Sequence, residues 1–160
     1  MYRNVLNSRY AELSKLETIR DICPETTVRE MLRCILHDLF SFNASHPEFS
    51  RLLSWENLQG AAHLDPDAAR SARLPGWNRL IGILESAQAA GKMRADVDLN
   101  WIVYVLQALT VVYFTNRHTM EILTGIPFGT PEDIDRSVEL YADLLARGLT
   151  SLDGKETDGR

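Results

Sequence analysis

Cysteine is scarce in this chain, with Cys23 and Cys34 the only two in 160 residues. They form no CxxC pair and no zinc-type spacing, and two are too few for a disulfide scaffold, so a reducing cytoplasm is the expected setting. A surplus of basic charge is also lacking. Seventeen Lys and Arg face 22 Asp and Glu, for a net charge of −5. Affinity for nucleic acid phosphates comes largely from clustered Lys and Arg, so the chain is not expected to grip DNA unaided. No block of like charge resembles a binding tail, and no repeat, low-complexity tract or Gly/Ser linker divides the sequence. One domain is therefore expected. The polar start, MYRNVLNSRYAEL, has no apolar core before a small-residue cleavage site, so no signal peptide is expected. Phosphate-cradling glycine loops, a GxSxG elbow and a helical HExxH pair are all missing, which leaves catalysis without support. Nowhere do apolar and polar residues alternate between hairpin turns, so strands are excluded and the fold class is all-α.

Long apolar runs are nearly absent too, with one exception. Eighteen residues from Leu99 to Asn116 carry no charge. That approaches the roughly 20 residues of a membrane span. Asn100, Gln107, Thr110, Thr115 and Asn116 interrupt the run, however, and no Lys or Arg cluster flanks it. A helix apolar all round is covered on both sides, by its own core or by a partner, so a core helix with a dimer contact is the better expectation and no membrane partner is expected.

What is present is the punctuation of about six helices. Val5, Leu6, Leu13, Leu16 and Ile19 form a loose stripe in segment 2–20, before the Cys23–Pro24 break. Thr27 and Glu30 make a capping box ahead of Val28, Met31, Leu32, Ile35, Leu36, Leu39 and Phe40, all on one face. Pro47 suits a first helical turn, and Phe49, Leu52, Leu53 and Leu58 lead to Gly60 as a C-terminal cap. Residues 61–76 are ambiguous: Asp65-Pro66 could open a short helix, but the small and polar residues favour a mobile connection. Trp77, Leu80, Ile81 and Leu84 carry a helix to Gly91. Asp96 or Asp98 caps the long apolar helix, which ends near Gly125, and Thr130-Pro131-Glu132-Asp133 starts the last one. The tail from Asp153 is expected to be disordered.

Chemistry-bearing groups are few. His63, Asp65 and Asp67 crowd one loop, but nothing completes a metal-binding set, and Asp65 reads as a helix cap. Cys34 and His37 share a helix without a third group to orient them, so Cys34 reads as a structural thiol. No metal or cofactor is expected. Aromatics from several helices (Phe42, Trp55, Trp77, Trp101 and Tyr104) form either core or the lining of an apolar cavity, with Ile81 and Ala108 beside them. Cys34, Asp38 and Gln107 are the polar positions near those stripes. On the long helix Ile102, Val105, Leu106, Leu109 and Tyr113 read as core. The mixed stripe Asn100, Val103, Gln107, Thr110 and Phe114 reads as a homodimer interface, joined by Ser137, Leu140 and Leu144 of the last helix. Arg136, Glu139, Asp143 and Arg147 are placed to serve as its rim.

Several segments together resemble the TetR family of transcriptional regulators. They are Tyr2-Arg3-Asn4-Val5-Leu6 with Arg9-Tyr10, then His46-Pro47-Glu48-Phe49 with Leu52-Leu53, then Gly91 to Asp98 leading into the long helix, and the closing Leu144 to Leu149. The resemblance spans residues 2–150 but lacks the family's helix-turn-helix head. It implies an effector-binding and dimerisation body, residues 21–152, preceded by a linking helix over 1–20 and followed by a tail at 153–160. It further implies a four-helix-bundle homodimer, a pocket for a small apolar or aromatic effector that weakens DNA binding, and operator contact only through the head. Under that implication the pocket residues are Cys34, Asp38, Phe42, Trp55, Trp77, Ile81, Trp101, Tyr104 and Ala108. A stand-alone helical module for an apolar ligand or lipid is the alternative.

Overall fold

The computed structural model describes residues 26–150, apart from the side chains of 72–74. The expected linking helix at 1–20 and the tail at 153–160 lie outside the described residues. Five helices follow in order: α1 (Val28–Ser45), α2 (Pro47–Leu58), α3 (Pro66–Ala89), α4 (Leu99–Thr124) and α5 (Pro131–Leu149). The described residues contain no named strand; one isolated bridge pairs Met93 with Thr150.

Helix α1 is the axis of the core. Its first turn is closed by the Thr27–Glu30 capping box, in which the Glu30 amide donates to Thr27 Oγ1 at 3.2 Å and the Thr27 amide to Glu30 Oε2 at 3.0 Å. The three-and-four spacing then buries Leu32, Ile35, Leu36 and Phe40 completely. Phe40 joins three helices, with Tyr113 and Phe114 of α4 and Tyr141 of α5 at ring distances of 5.0, 5.7 and 6.1 Å. Arg29 pairs with Glu139 of α5 and also approaches Asp143, and Arg33 lies 3.9 Å from Glu139. Those two acids were expected at a dimer rim; they instead tie α5 to α1 within the chain.

The segment between α3 and α4 is a clasp. Lys92 Nζ donates to Thr26 O, and the Arg94 amide donates to Leu149 O at 2.8 Å, while Met93 is buried between them. Arg94 also holds Asp96 through two hydrogen bonds. This mutual pairing lowers the Asp96 carboxyl and raises the Arg94 guanidinium from their ordinary values. The Gly91–Asp98 stretch thus fastens the end of α5 beside the start of α1.

Two expectations need correction. Residues 66–76 are not a connection: α3 runs unbroken from Pro66 to Ala89 with Pro75 inside it. Asp65 accepts from the amides of Asp67 and Ala68, and that cap with Pro66 nucleates a helix which the loss of one internal hydrogen bond at Pro75 does not stop. On α4 the fully buried positions are Val103, Leu106, Thr110 and Tyr113. Val103 and Thr110 therefore belong to the chain's own core and offer no surface to a partner. Thr110 satisfies its hydroxyl on Leu106 O at 2.9 Å, so its burial leaves no orphan donor. The phase was misjudged because an uncharged helix, apolar around most of its girth, gives periodicity nothing to lock onto.

Capping is as expected on the last two helices. Asp98 receives the Asn100 amide at 2.9 Å, Gly125 ends α4 in the left-handed region at φ 69°, and Thr130 with Asp133 forms a second capping box at α5. Helix α4 meets the length and hydropathy of a membrane span, yet it packs on α1, α2 and α3. What it leaves outward is apolar: Trp101, Tyr104 and Val112 are each more than half exposed, as are Leu140 and Leu144 on α5.

Candidate ligand-binding clefts

The sharp turn at His46 sends α2 back across α4. His46 ends α1 and precedes Pro47 of α2; its ring stacks on Phe42 at 4.5 Å, with Nδ1 2.9 Å from Phe42 O. Phe42, Phe49, Leu52, Leu53 and Leu64 form a small satellite core beneath the crossing. Because α2 crosses rather than lies along α4, a groove remains on each side of it.

The first cleft, about 330 Å³, lies between the end of α1, the Ser50–Ser54–Trp55 face of α2 and Phe114, Arg117 and His118 of α4. The second, about 370 Å³, is bounded by Leu39 of α1, Phe49, Leu53 and Asn57 of α2, and Tyr104, Gln107 and Val111 of α4. Both fall at the small end of the volumes that ligand sites occupy. Asn43 borders both and is itself buried. Its Nδ2 donates to Leu39 O at 2.9 Å and its Oδ1 accepts from Ser50 Oγ at 2.8 Å, so this pair is a satisfied polar partition.

Trp55, on the wall of the first cleft, is backed by the loop after α2. His63 stacks on it at 5.2 Å, and the His63 amide donates to Glu56 Oε1 at 2.7 Å. Glu56 is buried, and its Oε2 has no hydrogen-bond partner, although His63 Nδ1 stands 3.8 Å away. The same turn puts Ala61 at φ 60°, a strained setting for a residue with a Cβ. Deeper in, burial raises the phenols of Tyr113 and Tyr141, so both stay protonated; Tyr113 Oη accepts from the Gly129 amide at 3.3 Å.

The two clefts gather only some of the expected ligand residues. Trp55 lines the first, and Tyr104 and Ala108 line the second. Cys34, Trp77 and Ile81 are half-buried, Asp38 and Phe42 are buried, Trp101 is exposed, and none of these six borders either cleft. Trp77 Nε1 donates to Asn100 Oδ1 at 3.0 Å. Three residues expected at a dimer interface, Gln107, Thr110 and Phe114, line clefts instead. Sequence reasoning missed Asn43, Ser50, Arg51, Arg117 and His118. The available signal was the His46–Pro47 turn, which brings α2 back over α1.

This arrangement is one that known proteins share in sequence. The profile of the tetracyclin repressor-like C-terminal domain family matches residues 28–145, which run from the first residue of α1 into α5. The chain belongs to this family. It is also similar to the HTH-type transcriptional repressor NicS of Pseudomonas putida, at 27% identity over 157 residues, covering 93% of this chain and 70% of that protein. The TetR-type C-terminal domain is all-α, as expected from the absence of alternating segments. TetR-type regulators are generally not enzymes, in keeping with a sequence that offers no catalytic set.

Proposed function

We propose that this chain is the effector-sensing and dimerising body of a cytoplasmic TetR-type repressor, whose DNA affinity falls when a small apolar or aromatic molecule occupies the clefts beside α2. The observation carrying this reading is the pair of clefts at the junction of α1, α2 and α4, in a chain of this family. An effector with greater affinity for a body that holds its DNA-reading heads at the wrong spacing weakens DNA binding by linkage. The heads of a dimer read half-sites about one helical turn apart, roughly 34–36 Å, so a small change of spacing matters. Operator contact belongs to a head, as in helix-turn-helix relatives, and not to this acidic body.

Dimerisation in this reading uses the outward apolar faces. On α5 these are Leu140 and Leu144, beside Ser137; on α4 they are Trp101 and Val112, with exposed Asn100 at the near end. Paired with their mates, α4 and α5 make a four-helix bundle. Helix α4 then has a covered outer face without any membrane.

The test is a melting-temperature screen of the chain against small aromatic and aliphatic compounds. A ligand at one hundred times its Kd adds about 2.7 kcal/mol to folding stability, an easily read shift. Substituting Trp55 or Tyr104 by Ala is expected to abolish the shift for compounds in the respective cleft. A screen in which every shift survives both substitutions refutes these clefts as the effector site.

A further inference from the structure

The first cleft differs from the second in its charge. Arg51 of α2, Arg117 and His118 of α4 all line it, and no carboxylate does; the second cleft has no cationic lining residue. Five other arginines of the domain are neutralised: Arg29, Arg33, Arg94, Arg136 and Arg147 each have a carboxylate within 4 Å. Among the described residues Arg51 and Arg117 have none; the exposed Arg70 shares that lack but borders neither cleft. Arg117 is moreover half-buried, at the point where the α4–α5 loop closes over it: a Cβ placed on Gly129 would stand 3.7 Å from its Nη1. A guanidinium withdrawn from water without a counter-ion is a poor solution for a folded protein, and a bound anion corrects it through paired, charge-assisted hydrogen bonds.

The rest of the cleft sets the body of that anion. Trp55 and Phe114 face it from α2 and α4 and supply ring surface. Much of the polar lining is already engaged within the chain: Asn43 with Leu39 and Ser50, Ser54 with Ser50 O, Thr115 with Val111 O. Polar recognition is thus left mainly to Arg51 and Arg117. At about 330 Å³ the space is ample for an aromatic ring, since a cavity of about 150 Å³ already holds benzene. We infer that the effector of the first cleft is a small aromatic carboxylate, its ring between Trp55 and Phe114 and its carboxylate on Arg117, with Arg51 and His118 at the mouth. This rests on the effector reading above and names its chemical class.

The experiment is calorimetric titration of the full chain with benzoate, its neutral analogue benzamide, and acetate, at one ionic strength. Benzoate is expected to bind at least about tenfold more tightly than either of the others. Arg117→Gln is expected to remove about that tenfold for benzoate while leaving benzamide unchanged, and Arg117→Lys to keep most of it. If Arg117→Gln does not fold, as judged by its helical circular dichroism, Arg51→Gln at the exposed mouth gives the same readout with a smaller loss. Benzamide binding as tightly as benzoate, or an undiminished benzoate affinity in the folded Gln variant, overturns the inference and leaves the effector reading intact. Absence of binding by all three probes also overturns it, and the melting screen then judges the effector reading separately.

Discussion

Replacing Leu140 and Leu144 together by Ser is expected to dissociate the dimer proposed above without unfolding the chain. These side chains are 55% and 58% exposed in the single chain, so roughly half of each still faces water. Full burial of a leucine is worth about 1.5–3 kcal/mol, and covering the remaining half therefore contributes about 1 kcal/mol. A two-fold interface counts each residue twice, which brings the loss to about 4 kcal/mol, or roughly a thousandfold in dimer Kd. Neither leucine belongs to the core cluster, and the half of each that the chain already covers is worth about 1 kcal/mol, so the folding of the isolated chain should lose about 2 kcal/mol and survive. Sedimentation velocity over a dilution series reads the first quantity. Urea unfolding below the dimer Kd reads the second, since association and folding are otherwise coupled. Val103→Ala is the contrasting variant: it removes two buried methyl groups and is expected to cost about 2 kcal/mol of folding stability with the dimer Kd little changed. A leucine variant that remains as tight a dimer as the parent refutes the assignment of the α5 face. A folded Val103→Ala chain that turns monomeric refutes the placement of Val103 in the core.

Asn43→Ala deprives the buried Ser50 hydroxyl of its acceptor and is expected to cost about 1–3 kcal/mol in urea unfolding. A cycle with Ser50→Ala should return a coupling of at least about 0.5 kcal/mol, because the two share one hydrogen bond. The Glu30 carboxyl is held below its ordinary value by the Thr27 amide and hydroxyl, so its contribution is present above the unfolded pKa and is lost as pH falls through the lower folded value. Glu30→Gln should therefore flatten the acid side of the stability profile, measured by melting temperature against pH, and leave its neutral side level. Phe40→Ala, which empties the junction of α1, α4 and α5, is expected to cost about 3–5 kcal/mol, enough to lower the melting point sharply in thermal unfolding.

Helix starts were legible because they are local chemistry. Thr27, Asp98 and Thr130 act on amides two or three residues away, and an oxygen side chain before a helical stripe reports that contact directly. The small and polar residues of 66–76 misled because local composition carries no packing information: only the seating of Leu80 and Leu84 downstream shows that α3 continues through them, Pro75 included. The phase of α4 required long-range information. Its buried stripe is rotated by roughly 60° from the expected one, since Val103 and Thr110, placed by the pattern in the mixed stripe, lie at 100° per residue on the edge of it that adjoins Leu106 and Tyr113. The clefts were least legible. They exist because α2 crosses α4, and nothing in the spacing of Arg51 and Arg117, which are 66 positions apart, shows that one groove receives both.

Under the proposed function, the girth of α4 explains how occupancy of a cleft reaches a partner. One side of the helix carries Val103, Leu106 and Tyr113 into the core, a flank carries Phe114 and Arg117 into the first cleft, and the outer side presents Trp101 and Val112. An effector wedged between α2 and Phe114 presses on a ring already in contact with Phe40 and Tyr113. That cluster is close-packed, so it does not absorb a displacement by compressing; the helix moves as a body. Its outer face moves with it, and so does the register in which two copies of α4 meet. The clasp at Lys92, Met93 and Arg94 holds the end of α5 to the start of α1, so in this reading that side of the domain serves as the frame against which α4 shifts. The effector and the partner subunit thus bias the same rod from two sides, which is the physical requirement for a coupling free energy between their sites.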